Sequence, residues 1–309
     1  MCLSDSRIEA KILKGDVTLT PPKETRLFHV TTTPQNLMAV AIGCGVSFLT
    51  VVFSLVFPYI ATPTEAKEIY RPAFYQYDPE IHHFDNSIWT YGTDYGLMVV
   101  MVALTVSILR AKGDKILKRR AAGLLLSYAV SVFAGAVAHH FFLTLESRNT
   151  IAFRLLWTLC VGTVTAAGGF MGACGSQIGR LTGGFYIPEC CWLGFGAFTT
   201  AVCMAGYMSF QRPACDIFVA GCTQVTPTVY ICLLAVMSRY KTFYRSLVVF
   251  GFFLNAPLLP IYSWLVFHTD WSLGRVNTLL HTFLCVAWTS QGLALKHFAT
   301  AQPTKEKAV

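Results

Sequence analysis

The sequence predicts an all-α fold, a polytopic membrane helix bundle of about eight transmembrane helices: one N-terminal span and a seven-helix core. Three observations predict it. Of 309 residues, 54% are hydrophobic and only 13% charged, against about 25% charged in an average soluble domain. The charges collect in short clusters between long apolar runs instead of alternating with apolar residues. The runs themselves are about 20 residues long, the length at which a helix crosses a bilayer with every backbone polar group satisfied inside the segment.

Taken in order, the candidate spans are 36–61, 91–110, 120–144, 151–175, 187–209, 214–237, 245–268 and 276–298. The first follows 35 polar residues and has no small-residue cleavage site after a short core, so it reads as a retained anchor and not a signal peptide. The fourth carries Gly168, Gly169 and Gly172, small residues that let helices approach closely. The sixth contains Pro227, and the seventh contains Asn255 to Pro260 with Pro257 inside it. Each proline removes a backbone donor and kinks or breaks its helix.

Basic residues mark the cytosolic side of membrane helices. They are dense in residues 1–35 (Arg7, Lys11, Lys14, Lys23, Arg26), in the second-to-third connection (Arg110 to Arg120), in the sixth-to-seventh (Arg239, Lys241, Arg245) and in the tail (Lys296, Lys305, Lys307). The 62–90 loop is acidic, with Glu65, Glu68, Asp78, Glu80 and Asp85 against Lys67 and Arg71. Both termini are therefore expected in the cytosol, with a segment 1–35, a membrane domain 36–298 and a tail 299–309. The net charge of +8 sits beside the spans and does not point to nucleic acid. The expected partners are membrane lipids.

Eleven cysteines are present, and most, such as Cys44, Cys160, Cys203, Cys232 and Cys285, lie inside apolar runs, where a thiol packs as a small hydrophobe. The adjacent Cys190 and Cys191 fall at an expected cytosolic helix end, where packing and palmitoylation are both open. Cys215 and Cys222 fall near the non-cytosolic side.

Ionisable groups inside spans are costly and mark candidate sites. With this topology Asp94, His139, His140, Arg154, Asp216, Asn277 and His281 all fall in the non-cytosolic half, and Asn277 and His281, four apart, share one helix face. Histidines and a carboxylate from three helices could hold Zn²⁺, leaving a position for a water that ionises near neutrality. Solvation at the headgroup level is the plain alternative. The segment Tyr77 to Asp85, with His82, His83 and three acids, is an acidic loop without metal-ligand spacing.

The last seven spans resemble the seven-helix membrane hydrolase superfamily that includes alkaline ceramidases, progestin and adiponectin receptors and Per1-type proteins. The resemblance rests on Ser127, Ser131, His139 and His140 in the second core helix and Asn277 and His281 in the last. It implies His139 or His140 and His281 as zinc ligands; on the hydrolase reading Ser131 and Arg154 are groups that support the ligands or bind the oxyanion. It also implies a lipid amide of the ceramide type as substrate. The chain departs from the pattern at Asn277, which stands where a ligand histidine is expected. It departs again in the eight-residue interval from Ser131 to His139, and in having Arg154 where an aspartate is expected. Asp94 is then the candidate replacement ligand, or the protein is a non-catalytic lipid-binding or receptor-like relative. A small-solute transporter is the third reading, from the broken seventh span and Asp216. Lys305 and Lys307, five and three from the carboxyl end, resemble a dilysine retrieval signal and imply the endoplasmic reticulum or early secretory pathway.

Overall fold

The computed structural model describes residues 85–148, 150–208, 223–255 and 269–301, together with residues 38, 41, 42, 45, 48, 49, 221, 258, 261, 264 and 265. Most of the expected first span and of the acidic 62–90 loop, with Cys215, Asp216, Cys222, Pro257, Pro260 and the dilysine tail, lie outside the described residues. The described residues form eight helices and no strand: α1 (Ile88–Arg110), α2 (Lys115–Phe141), the single turn α3 (Leu145–Arg148), α4 (Ile151–Leu181), α5 (Glu189–Met208), α6 (Val225–Met237), α7 (Thr242–Asn255) and α8 (Leu273–Thr300). Three of them, α1, α2 and α4, are long and apolar enough to cross a membrane.

Local chemistry sets the helix starts. A side-chain oxygen that bonds the free amides of the first turn caps a helix. Ser87 does so for α1 through Thr90 N, Asp114 for α2 through Leu117 N, Thr150 for α4 through Phe153 N, and Ser272 for α8 through Arg275 N. Asp114 also explains why α2 begins several residues before its apolar run: the cap lies ahead of the basic stretch Lys115 to Arg120. Pro227 has no amide hydrogen for the carbonyl four residues back, and α6 accordingly begins at Val225 after a turn at Gln224.

Six helices close a ring in the order α1, α2, α4, α6, α7 and α8, with α8 packed back on α1 and also touching α2. Helix α5 packs on the outside, against α4. Small residues make that contact possible: a Cβ on Gly169 would lie 2.8 Å from the Gly196 Cα, and one on Gly172 would lie 2.2 Å from the Trp192 ring. The α1–α2 turn docks on the end of α8, where Asp114 N donates to Ala299 O at 2.8 Å. Gly113, at φ 148°, has no room for any side chain there.

The ring is filled by Leu97, Met101, Leu124, Leu125, Met171, Ile231 and Leu295. Tyr128 of α2 stacks on Trp288 of α8 with centroids 3.8 Å apart. Its hydroxyl donates to Gln224 Oε1 at 2.6 Å, and Gln224 Nε2 donates to Val164 O at 2.6 Å. At the other end of α2, Arg120 makes a two-pronged ion pair with Glu189 of α5, Nε to Oε2 at 3.0 Å and Nη2 to Oε1 at 3.2 Å.

Candidate functional site

The polar groups singled out in the sequence gather where α1 begins, α2 ends and α8 begins. Asp94 lies two turns into α1 and is 3% exposed. It shares the inward face of α1 with Thr90, Leu97 and Met101. Its carboxylate faces His281 of α8, with Nε2 3.4 Å from Oδ1. A glycine on α2 makes room for it: a Cβ on Gly135 would lie 3.5 Å from Asp94 Oδ2 and 3.7 Å from Cys160 Sγ. Anything larger than alanine there would press on both groups.

Hydrogen bonds on the far side of each ring hold its orientation. Thr93 Oγ1 lies 2.9 Å from His281 Nδ1. A threonine hydroxyl has one hydrogen, and here two carbonyls of its own helix compete for it, Trp89 O at 2.7 Å and Thr90 O at 2.9 Å. When that hydrogen goes to either carbonyl, the oxygen accepts from His281 Nδ1–H. With its proton on Nδ1, a neutral His281 turns the lone pair of Nε2 towards a carboxylate oxygen; with the proton on Nε2, it donates to that oxygen. His139 is oriented the same way, because its Nδ1 sits 2.6 Å from the carbonyl oxygen of Asp85, which only accepts.

His139 stands one helical turn beyond Gly135, about 6 Å along α2. The level above Asp94 is built around Asp85. Its carboxylate accepts from Ser87 Oγ at 2.8 Å and from Ser87 N at 3.2 Å, and it is also bonded by Thr90 Oγ1. Asn86 Nδ2 donates to His139 O at 2.5 Å and to Phe142 O at 3.3 Å, and Arg148 bonds Asn86 Oδ1. The strand of chain before α1 is thus latched to the end of α2. Gly274 of α8 lets it lie close: a Cβ there would be 2.7 Å from Ser87 Oγ.

Of the residues named from sequence, Asp94 and His281 meet and His139 stands at the next level. His140 does not face them. It stacks on Tyr91 at 4.3 Å, with Tyr95 Oη 3.4 Å from its Nδ1. Ser131 is buried and donates to Cys160 O at 2.7 Å, tying α2 to α4. Arg154 is half-buried in the first turn of α4, near Trp157, which meets the His139 ring edge-on at 6.0 Å. Asn277 is buried one turn before His281.

Thr93, Cys160, Gly135 and the Asp85 carbonyl belong to the site and were not singled out for it in the sequence. Only Gly135 carried a signal, since Ser131, Gly135 and His139 are spaced by four and share a face of α2. Among the described residues, no group of three or more His, Cys, Asp and Glu side chains is placed to hold a metal ion.

A carboxylate oxygen and an imidazole lone pair 3.4 Å apart repel unless something electrophilic lies between them. A proton serves, and so does a divalent cation: two donors each about 2.0–2.1 Å from a tetrahedral zinc stand about 3.3 Å apart. Histidines that ligate metals have their other ring nitrogen held by a carbonyl, carboxylate or water, and the Asp85 carbonyl does this for His139. No family model, curated protein or solved structure matches this chain.

Proposed function

We propose that this is a multi-pass membrane protein of about eight spans, with both termini cytosolic, that hydrolyses a ceramide-like lipid amide with zinc at the Asp94–His281 site. The observation that carries this reading is the contact itself: a buried carboxylate and an imidazole with its Nδ1 engaged, brought together by α1 and α8. Apolar residues on the outer surface, such as Val99, Val106, Leu159, Leu233 and Phe253, support a lipid environment. The basic clusters and Lys305 and Lys307 support the orientation and an early secretory location.

In this reading Asp94 and His281 would hold the metal, and His139, at the next level, is not placed with them as a third ligand. Bound there, zinc would supply a hydroxide near neutral pH and polarise the amide carbonyl. Thr93 and the Asp85 carbonyl keep both rings turned inward, and Gly135 leaves the carboxylate room. Ser131 and Arg154 are the remaining candidates to steady the developing oxyanion. A non-catalytic lipid-binding role is the second reading. It is favoured by Asn277 in place of a ligand histidine, by the engaged Ser131 hydroxyl, and by the lack of a three-ligand group among the described residues.

Hydrolysis of a short-chain ceramide by protein in lipid nanodiscs, with and without a zinc chelator, separates the two. Turnover that is abolished by the chelator and by His281→Ala supports the hydrolase. Saturable binding without turnover, unchanged by the chelator, supports the lipid-binding protein and sinks the catalytic reading.

A further inference from the structure

At the end of the bundle away from Asp94, cations that are far apart in the sequence meet. The α1–α2 turn docks on the last turn of α8 through Asp114 N and Ala299 O. The α6–α7 turn reaches the same part of α8: Tyr240 packs on Phe298 with centroids 4.6 Å apart, and Tyr244 stacks on His297 at 3.7 Å. The end of α4 joins them through Gln177, whose Nε2 donates to Asp114 Oδ1 at 2.9 Å. Arg110, Lys112, Lys115 and Arg119 around the first turn are exposed, and so are Arg180 at the end of α4 and Lys241 before α7.

The fold sorts these cations from others nearby that it uses itself. Lys118 Nζ donates to Ala111 O at 2.6 Å and to Leu109 O at 3.3 Å, closing the end of α1. Arg245 Nη1 does the same for α6, through Val236 O at 2.9 Å and Ser238 O at 3.2 Å. Lys296 Nζ donates to Ser107 Oγ at 2.7 Å. Among the described residues the acids at this end are Asp114 and Glu189, and both are engaged. Asp114 caps α2 and takes the Gln177 amide, and Glu189 holds Arg120. The six exposed cations therefore outnumber the acids that could neutralise them. At the opposite end Asp85, Asp94, Glu146 and Asp270 stand against Arg148, Arg154 and Arg275 among the described residues, and no such excess arises.

Exposed apolar side chains set the depth of these cations. Leu109 adjoins Arg110, Phe243 follows two residues after Lys241, and Phe185 follows Arg180 by five. Such neighbours belong in hydrocarbon, which puts the charged tips at the level of the lipid headgroups. A cation there attracts anionic lipid by about 1 kcal/mol per Lys or Arg. A soluble acidic partner would leave the apolar neighbours unexplained. We infer that this end of the bundle selects anionic phospholipid headgroups from the surrounding leaflet, held by the exposed cations of the α1–α2 turn, the end of α4 and Lys241. The inference rests on the membrane reading of the bundle and is independent of the zinc site.

Electron spin resonance of spin-labelled lipids tests this with the full chain in phosphatidylcholine vesicles. Labelled phosphatidylserine is expected to associate with the protein several-fold more strongly than labelled phosphatidylcholine, and high salt is expected to narrow the difference. A variant carrying Lys112→Gln, Lys115→Gln, Arg119→Gln and Lys241→Gln is expected to lose most of the preference. Arg275→Gln, an exposed cation at the opposite end, is expected to leave it unchanged. Equal association of the two lipids with the wild type would overturn the inference. So would a preference that survives the four substitutions, or one that Arg275→Gln removes as fully. Should the fourfold variant fail to reconstitute, Lys112→Gln with Lys115→Gln, and Lys241→Gln alone, decide by whether each lowers the preference. A wild-type protein that does not insert into vesicles at all would overturn the membrane reading instead.

Discussion

A methyl group at Gly274 tests how the chain before α1 is held over the site. In Gly274→Ala the new Cβ would lie 2.7 Å from Ser87 Oγ, 3.2 Å from Asp85 Oδ2 and 3.4 Å from Ser87 Cβ. The first contact is too short, and Ser87 relieves it by rotating its hydroxyl away. That rotation gives up the N-cap of α1, worth about 1 kcal/mol. It also gives up the 2.8 Å bond from Ser87 Oγ to Asp85 Oδ2, worth about 1 kcal/mol for a half-buried pair. Removing a glycine from the first turn of α8 returns about 0.5 kcal/mol. The net loss is about 1.5 kcal/mol, read by equilibrium unfolding in mixed detergent micelles followed by circular dichroism. Ser87→Ala loses the same two bonds without the clash. The double variant should therefore be no less stable than Ser87→Ala alone. Additive losses, or a Gly274→Ala protein as stable as wild type, would refute the reasoning.

Other substitutions address the site and its scaffold separately. Thr93→Ala should weaken zinc binding by about 10–100-fold, as loss of a group orienting a ligand does, and Thr93→Ser should restore it; isothermal titration reads both. His140→Ala should leave zinc affinity within about twofold of wild type, because its ring faces Tyr91. Gly172→Ala drives a methyl into the buried Trp192 ring and should cost about 3 kcal/mol, the upper end for overpacking. Gly194→Ala meets nothing within 4 Å and should be neutral or slightly stabilising in the same unfolding assay.

Much of the helical layout was legible from apolar runs. Candidate spans at 91–110, 151–175 and 276–298 correspond to α1, α4 and α8, each longer than the run that announced it. Apolarity reports where a helix meets lipid or core, while its ends follow caps such as Ser87, Asp114 and Ser272, which lie in polar sequence. That Asp94 and His281 share a depth was readable from topology. Which of two adjacent histidines turns inward was not, because neighbouring residues on a helix point about 100° apart and packing chooses between them. Here Tyr91 takes His140 and the Asp85 carbonyl takes His139. Thr93 was invisible for a related reason: its role depends on a hydrogen already used by its own helix.

The central claim is that Asp94 and His281 face each other because a divalent cation belongs between them. Metal content of detergent-purified protein, measured for wild type, Asp94→Asn and His281→Ala, tests it most directly. The account predicts stoichiometric zinc in the wild type and its loss in both variants, with helical content unchanged. Well-folded wild-type protein that is free of zinc, and that stays free of it when zinc is supplied, would contradict the account.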